Sequence, residues 1–410
     1  MFPRPTPGGL LFLIITAVSV GVALMNVGLI TALTASVFCA VTISSFLMSF
    51  FSTAGISLRR ENMPDGKSME KVVLPLVITN HLPWFRQSLI LTEQIPFVTE
   101  KVTAWEIPSL PPKGTVTLQR ETVSCRRGHF CLRKIRISGG DPCGIFKTVK
   151  VFKCPGEISI VPKTVLLSSF PYACTSGHSV NREGRSLGHV GQGNDFFGIR
   201  PYRAGDEMRF VHWRLSASKN QLMVREFEAA AVDKIVLILD TTLAAVGNDP
   251  VENNFEKLIT LAASVTEYLS SRYCHLTFIT RHDGEIFQTS GDAAGIRTKI
   301  QEILTEIVPS KGQVETLIGE ILETLSPGTV VCFLGMTDSV KLRQMLSLLE
   351  DQQIVLQWIH APKDCFPYII DDEELVFCLP QETRKTGEIK PLLLTCQTDL
   401  EGIFNDEEAV

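Results

Sequence analysis

The residues best able to do chemistry are concentrated in one stretch, Gly188–Glu228, which reads GHVGQGNDFFGIRPYRAGDEMRFVHWRLSASKNQLMVREFE. It sets carboxylates (Asp195, Asp206, Glu226) among guanidiniums (Arg200, Arg209, Arg225), with Tyr202 and Ser216 as hydroxyls and Phe196 and Trp213 as apolar anchors. Gly191, Gly193, Gly198 and Gly205 punctuate it. A plain surface loop has the glycines and charges without the large apolar side chains; a core strand has the reverse. Both together predict a loop-rich segment held down on a scaffold by fixed arginine–carboxylate pairs. Asp195, Arg200, Asp206 and Arg209 are the candidates for a ligand or partner surface. The bland reading buries Trp213, Phe210 and Leu222 and leaves Arg225 and Glu226 as structural ion pairs.

Three catalytic schemes fit the stretch less well. GHVGQG has no Lys-Ser/Thr and no strand–glycine–helix crossover, so it is neither kind of phosphate loop. Ser216, His212 and Asp206 would supply a hydrolase triad, but Ser216 is in no nucleophile elbow. An enzyme using Asp195, Asp206 and Arg209 remains an alternative without a defined reaction.

The elements that must position this stretch begin with a membrane-like segment. Leu10–Phe51 has no charged side chain, and about 20 apolar residues cross a bilayer. That length predicts two spans, about 9–25 and 29–51, turning near Asn26–Gly28. A cleaved signal would be far shorter. Arg4 precedes the hairpin and Arg59 and Arg60 follow it, with no basic residue at the turn, so both ends are expected to face the cytoplasm. Residues 56–167 then carry short, alternating strand runs such as KVVLPLVITN and HFCLRKIRIS, divided by Pro, Gly and Asn; ISIVPKTVLL closes them. They predict a small all-β sandwich. Residues 168–228 are expected to form a linker followed by the chemical stretch. From 229 to 410 apolar strands (DKIVLILD, HLTFIT, TVVCFLG, IVLQWIH) alternate with amphipathic helices, predicting an α/β doubly wound sheet.

In 410 residues with net charge −5, no basic run appears, so a nucleic-acid partner is not expected. Eleven cysteines without C-x-x-C fit reduced thiols better than a zinc or disulfide framework.

The string G-x-G-x-D-F-x-G-I-R-x-Y-x-x-G-D-x-x-R, followed by H-W-x-x-S-A and L-x-V-R-E-x-E, resembles the signature of the domain-of-unknown-function 58 family. Asp141-Pro142-Cys143-Gly144 is similar to that family's Asp-Pro-Phe-Gly turn, with Cys143 in place of phenylalanine. The resemblance implies an N-terminal membrane hairpin, a von Willebrand factor A-like α/β domain, and bacterial inner-membrane localisation with cytoplasmic soluble domains. It also implies partnership with MoxR-type AAA+ ATPases and with other A-type domain proteins. In A-type domains an Asp-x-Ser-x-Ser run, a remote threonine and a remote aspartate hold a divalent ion. Asp240, Thr242, Thr316 and Asp338 match in part, and would take Mg or Mn; Ala244 stands at the second serine position and offers no oxygen. The function expected is a membrane-anchored scaffold or adaptor, non-enzymatic, serving assembly or maturation of other proteins. The alternatives are the enzyme above and a ligand-sensing membrane receptor.

Overall fold

A computed structural model describes the chain apart from residues 1, 26–27, 101, 171–184, 204–207, 232, 273, 323–324, 326–328, 353, 371–373, 377–389 and 405–410. For 185–198, 209, 226–231, 233, 350–351, 368–370 and 374–376 only the backbone is described. The chain divides into two compact units, Met1–Val161 and Pro162–Val410.

The first unit opens with β1 (Arg4–Pro5) and two apolar helices, α1 (Pro7–Met25) and α2 (Leu29–Ser52). Both are long and apolar enough to cross a membrane. Eighteen of their large apolar side chains, among them Leu11, Ile14, Val18, Leu33 and Val37, are exposed, as lipid-facing residues would be. The helices face each other through Phe12 and Phe38, whose rings are 5.5 Å apart, and through Thr16 and Thr42, 3.4 Å apart. The strands follow as β2 (Ile56–Arg60), β3 (Gly66–Lys67), β4 (Lys71–Asn80), β5 (Leu89–Glu93), β6 (Thr103–Ile107), β7 (Thr115–Val123), β8 (Gly128–Gly140) and β9 (Phe146–Val161). They make a three-stranded sheet, β2-β4-β7, and a second sheet ordered β1-β9-β8-β5-β6, with β3 also on β9.

Alternation puts one face of each sheet into a common core. Leu76 and Ile78 of β4 meet Leu89 and Leu91 of β5 and Ile135 and Ile137 of β8, while Val72 and Leu74 meet Leu132, Ile158 and Ile160. The sequence also predicts a strand at FKTVKVFK, separate from ISIVPKTVLL; in the structure that run and the beginning of ISIVPKTVLL are one strand. β9 carries straight through Pro155-Gly156, and the pairing with β8 slips between Leu132 and Lys134 to absorb them. Gly156 is there because a side chain would collide with Arg60, whose guanidinium crosses it to reach Glu93. Arg120 reaches the same carboxylate, so this core holds an Arg–Glu–Arg triad.

The second unit starts with residues 162–170, of which Leu167 and Phe170 are in its core and Val165 N donates to Ser264 Oγ at 2.9 Å. A two-stranded antiparallel ribbon follows, β10 (Arg185–Pro201) with β11 (Met223–Ala231), and α3 (Trp213–Lys219) lies between them in sequence. Then come β12 (Asp233–Leu239), α4 (Asn254–Ser270), β13 (Cys274–His282), β14 (Glu285–Asp292), α5 (Ala293–Glu306), α6 (Val314–Leu322), β15 (Val330–Gly335), α7 (Val340–Asp351), β16 (Val355–His360), β17 (Tyr368–Ile370), β18 (Glu374–Val376) and β19 (Leu392–Leu393).

β14-β13-β12-β15-β16-β19 form one sheet, parallel except for the β14 edge. The continuous apolar run of β12 follows from burial on both faces. Ile235, Leu237 and Leu239 pack with α4 and α5; Val236 and Ile238 pack with α6 and α7. All strands but β14 therefore send their carboxyl ends to one edge.

Candidate functional site

Asp240 directly follows β12, at the edge where open α/β sheets take their ligands. The buried Asp240 carboxylate accepts four hydrogen bonds. Oδ1 takes Thr242 N (2.9 Å) and Thr242 Oγ1 (2.6 Å); Oδ2 takes Met336 N (3.0 Å) and Thr337 Oγ1 (3.2 Å). Thr242 and Thr337 follow the ends of β12 and β15, so Asp240 laces two adjacent strand ends together. Next to it, Thr241 Oγ1 lies 3.0 Å from Ser310 Oγ, and Ser310 N donates to Thr241 O at 2.7 Å.

Asn254, at the start of α4 and fully buried, does the same for the opposite side. Its Nδ2 donates to Ala245 O and Ala361 O, both at 2.8 Å, and its Oδ1 accepts from Gly247 N at 2.9 Å.

The four metal candidates are only partly brought together. Asp240 and Thr242 touch each other. Thr316 lies in the first turn of α6, where its Oγ1 donates to Gln313 O and accepts from Arg281 Nη2, both at 2.7 Å. The Arg281 guanidinium lies flat against Gly312, where a Cβ would stand 1.6 Å from its Nη1. Asp338 is held by both arms of Arg343, Nε to Oδ1 and Nη2 to Oδ2, each at 2.7 Å. These bonds hold its carboxyl below the usual range, against the opposing effect of burial.

A divalent ion needs free oxygen lone pairs converging on one point. Here the Asp240 lone pairs face amide and hydroxyl protons, Asp338 faces a guanidinium, and a guanidinium occupies Thr316. As arranged, these residues do not fit Mg or Mn. Among the described residues no cluster of three His, Cys, Asp or Glu side chains could hold a metal ion. A shallow pocket, open to solvent and with room for no more than a water-sized group, is lined by Asp240, Thr242, Arg281 and Gly312.

Arg281, Arg343, Asn254 and His360 were not marked by their spacing in the sequence. Their one shared signal is position at or just beyond a strand or helix end. His360 closes β16, buried near Asp338 and Arg343. Desolvation lowers its pKa below the ordinary 6.5, and the Asp338 charge opposes that only in part. Its Nδ1 has no hydrogen-bond partner among the described residues. A histidine kept neutral when folded and free to protonate when unfolded contributes full stability above pH 6.5, and that stability is lost as pH falls through the lower folded-state value. Thermal unfolding of the full chain should therefore shift to lower temperature between pH 7.5 and pH 5. His360→Gln should flatten that dependence, and an unchanged slope would remove His360 from the account.

The ribbon corrects the expectation of a loop-rich chemical stretch. β10 and β11 pair from Arg185–Ala231 to Pro201–Met223, with register shifts between Ser186 and Val190 and on either side of Phe196. The backbone of Gly191, Gly193, Asp195, Phe196, Gly198 and Arg200 is strand, with Gly198 opposite Glu226 and Ile199 opposite Arg225. The glycines and bulges explain why the pattern reads as loop: alternation breaks where the register slips. Trp213, the first residue of α3, is exposed rather than buried, and Leu222 is exposed too.

Ser216 is buried and structural. Its Oγ donates to His212 O at 3.0 Å and accepts from Met223 N at 2.8 Å, while His212 Nδ1 caps α3 by accepting from Leu215 N at 3.2 Å. Serine hydroxyl and imidazole thus serve backbone groups, not each other. Tyr202 N donates to Leu222 O at 2.8 Å, and Arg200 Nη1 to Pro201 O at 3.1 Å; Arg225 is exposed. The side chains of Asp195, Phe196, Arg209 and Glu226, and residues Gly205 and Asp206 entirely, lie outside the described part.

A family model described as "Protein of unknown function DUF58" matches residues 198–326, which run from the ribbon to the end of α6. "Uncharacterized protein YeaD" of Bacillus subtilis (strain 168) is 23% identical over 154 residues, 37% of this chain and 36% of that relative. The match thus spans little more than a third of the relative's length. Among solved structures, a late embryogenesis abundant (LEA) protein matches 31% of this chain and 85% of its own at 13% identity, with TM-score 0.21. A beta-glucosidase from Listeria innocua matches 25% of this chain and 16% of its own at 16% identity, with TM-score 0.17. Likeness at those scores carries no argument; over residues 198–326, which take in β11 to β14, α3 to α6 and Asp240, the chain is similar to a family described as of unknown function.

Proposed function

We propose that the protein is a membrane-anchored adaptor whose second unit is an A-type-like domain that docks protein partners at the carboxyl edge of its sheet. The observation that carries this reading is the state of that edge. Its polar groups are spent on each other, and the apolar side chains Leu243 (47% exposed) and Val340 (75% exposed), just beyond β12 and β15, are turned outward. A prebuilt surface of this kind suits a macromolecule better than a substrate.

The partners expected from the resemblance are a MoxR-type AAA+ ATPase and other A-type domain proteins, in service of assembly or maturation of further proteins. The metal-dependent version of docking is set aside for one in which Arg281 and Arg343 hold the positions a cation would. The helices α1 and α2 anchor the chain in a bacterial inner membrane with both units in the cytoplasm. Exposed Cys131 reports on this orientation: an impermeant maleimide should label it only after cells are opened.

The docking test is affinity purification of the detergent-solubilised full chain with partners identified by mass spectrometry. An AAA+ ATPase should be recovered with the wild type and reduced at least tenfold with Leu243→Glu/Val340→Glu, about 1.4 kcal/mol or more of lost affinity. Equal recovery with both proteins would move the docking face elsewhere; no AAA+ ATPase with either would remove the adaptor reading.

A further inference from the structure

We propose that the strand body of the first unit also binds the lipid surface directly, with Trp84 and Phe85 seated at the boundary between headgroups and acyl chains. The inference rests on the reading of α1 and α2 as membrane spans.

The register of the strands decides which loops are near the bilayer. Ile56, four residues beyond the end of α2, pairs with Asn80, and Thr79 pairs with Thr115. Residues 53–55, 81–88 and 108–114 therefore share one end of the strand body, the end at which α2 arrives. Hydrogen bonds fix them there. His81 N donates to Gly55 O at 2.9 Å, Arg86 Nη2 to Ala54 O at 3.0 Å, and Lys113 N to Leu82 O at 3.0 Å. Gly55 makes the turn out of α2 at φ +64°, tight against Leu82.

The loop between β4 and β5 is built from within. Asn80 Nδ2 donates to Trp84 O (2.9 Å) and Pro111 O (3.0 Å), its Oδ1 accepts from Leu82 N (3.1 Å), and Arg86 and Leu110 exchange backbone bonds. With the backbone so held, the two large side chains stay open to the outside: Trp84 is 48% exposed, one face of its ring 5.8 Å from the Arg86 guanidinium, and Phe85 is 64% exposed. Two adjacent aromatics displayed on a rigid loop would be costly in water.

Their surroundings name the occupant. The apolar surface of α2 runs down to the same end, where Leu47, Met48, Phe50 and Phe51 are exposed. The other side of these turns is packed on the β8–β9 hairpin, with Phe46 5.5 Å from Phe146 and Ser49 Oγ 3.1 Å from Thr148 Oγ1. α2 has 24 residues; at 1.5 Å per residue that is about 36 Å, longer than the hydrocarbon core of about 30 Å. Its last turns and the loops beside them thus fall at the interface. Aromatic residues concentrate at that depth, and the exposed Lys113 on the neighbouring turn suits lipid phosphates. Apolar surface continuous from the spans onto the loop favours lipid over a protein partner.

The test uses the full chain in nanodiscs of phosphatidylcholine and phosphatidylglycerol, with and without brominated acyl chains. Wild type is compared with Trp84→Phe, and Trp84→Phe/Val18→Trp serves as a reporter inside α1. Subtracting the Trp84→Phe emission removes Trp105, Trp213 and Trp358 from the signal. The Trp84 component should be blue-shifted and lost in brominated lipid, as should the reporter at position 18. A quenched reporter with an unquenched Trp84 component leaves the spans intact and overturns this inference. If neither is quenched, the membrane reading falls with it.

Discussion

Glu93→Ala is expected to destabilise the first unit by about 3–5 kcal/mol. The carboxylate is buried between two guanidiniums that are themselves buried, Arg60 and Arg120. Arg120 also donates from Nε to Leu74 O at 3.1 Å and lies 5.2 Å from the Trp105 ring; Arg60 Nε donates to Cys154 O at 2.8 Å. Desolvation already lowers the Arg120 pKa, and Glu93 opposes that effect. Without the carboxylate two cations remain in the core with no counter-charge. Each also keeps one guanidinium nitrogen with no partner among the described residues, Arg60 Nη1 and Arg120 Nη2. Denaturant unfolding of the full chain, with the emission of the matching Trp105→Phe protein subtracted to isolate Trp105, reads this locally, and an unchanged midpoint would contradict it. Replacing all three, Arg60→Met/Glu93→Leu/Arg120→Met, should cost far less than Glu93→Ala alone, because no charge is then stranded.

Asp240→Ala is the corresponding change in the second unit, with an expected cost on the order of 4 kcal/mol. Four donors lose their acceptor together, and the buried Met336 N is left with nothing in its place. Asp240→Asn keeps one carbonyl acceptor and should fall between. Heat or denaturant unfolding compared with wild type measures both. A cost of Asp240→Ala within about 0.5 kcal/mol, the range of ordinary surface changes, would mean that Asp240 does not lace β12 to β15.

These two clusters show what could and could not be read from the sequence. The apolar hairpin was legible because absence of charge over forty residues has few other meanings, and the helices fall at 7–25 and 29–52 against the expected 9–25 and 29–51. The parallel strands were legible for the same reason: DKIVLILD and TVVCFLG are apolar on both faces and become β12 and β15. The ribbon β10–β11 was not, since bulges destroy the period of two by which strands are recognised. β9 read as two pieces because Pro155-Gly156 looks like a turn until Arg60 is seen crossing the glycine.

The Arg–Glu–Arg triad was invisible, as its members lie on β2, β5 and β7 and no spacing joins them. At the candidate site, Asp240 was found by its place at a strand end. That Arg281 and Arg343 would take up the neighbouring Thr316 and Asp338 is a matter of side-chain reach, which spacing does not encode. Asp240 and Asp338 were marked as one ligand set, yet each is matched to its own donors.

The central claim is a docking edge held by guanidiniums and hydrogen bonds without a divalent ion. It is tested most directly by repeating the affinity purification in magnesium and in chelator. The same AAA+ ATPase in equal amount under both conditions is the predicted result. Recovery that appears with magnesium and vanishes with chelator would show that Asp240, Thr242, Thr316 and Asp338 rearrange around a cation, and would contradict it.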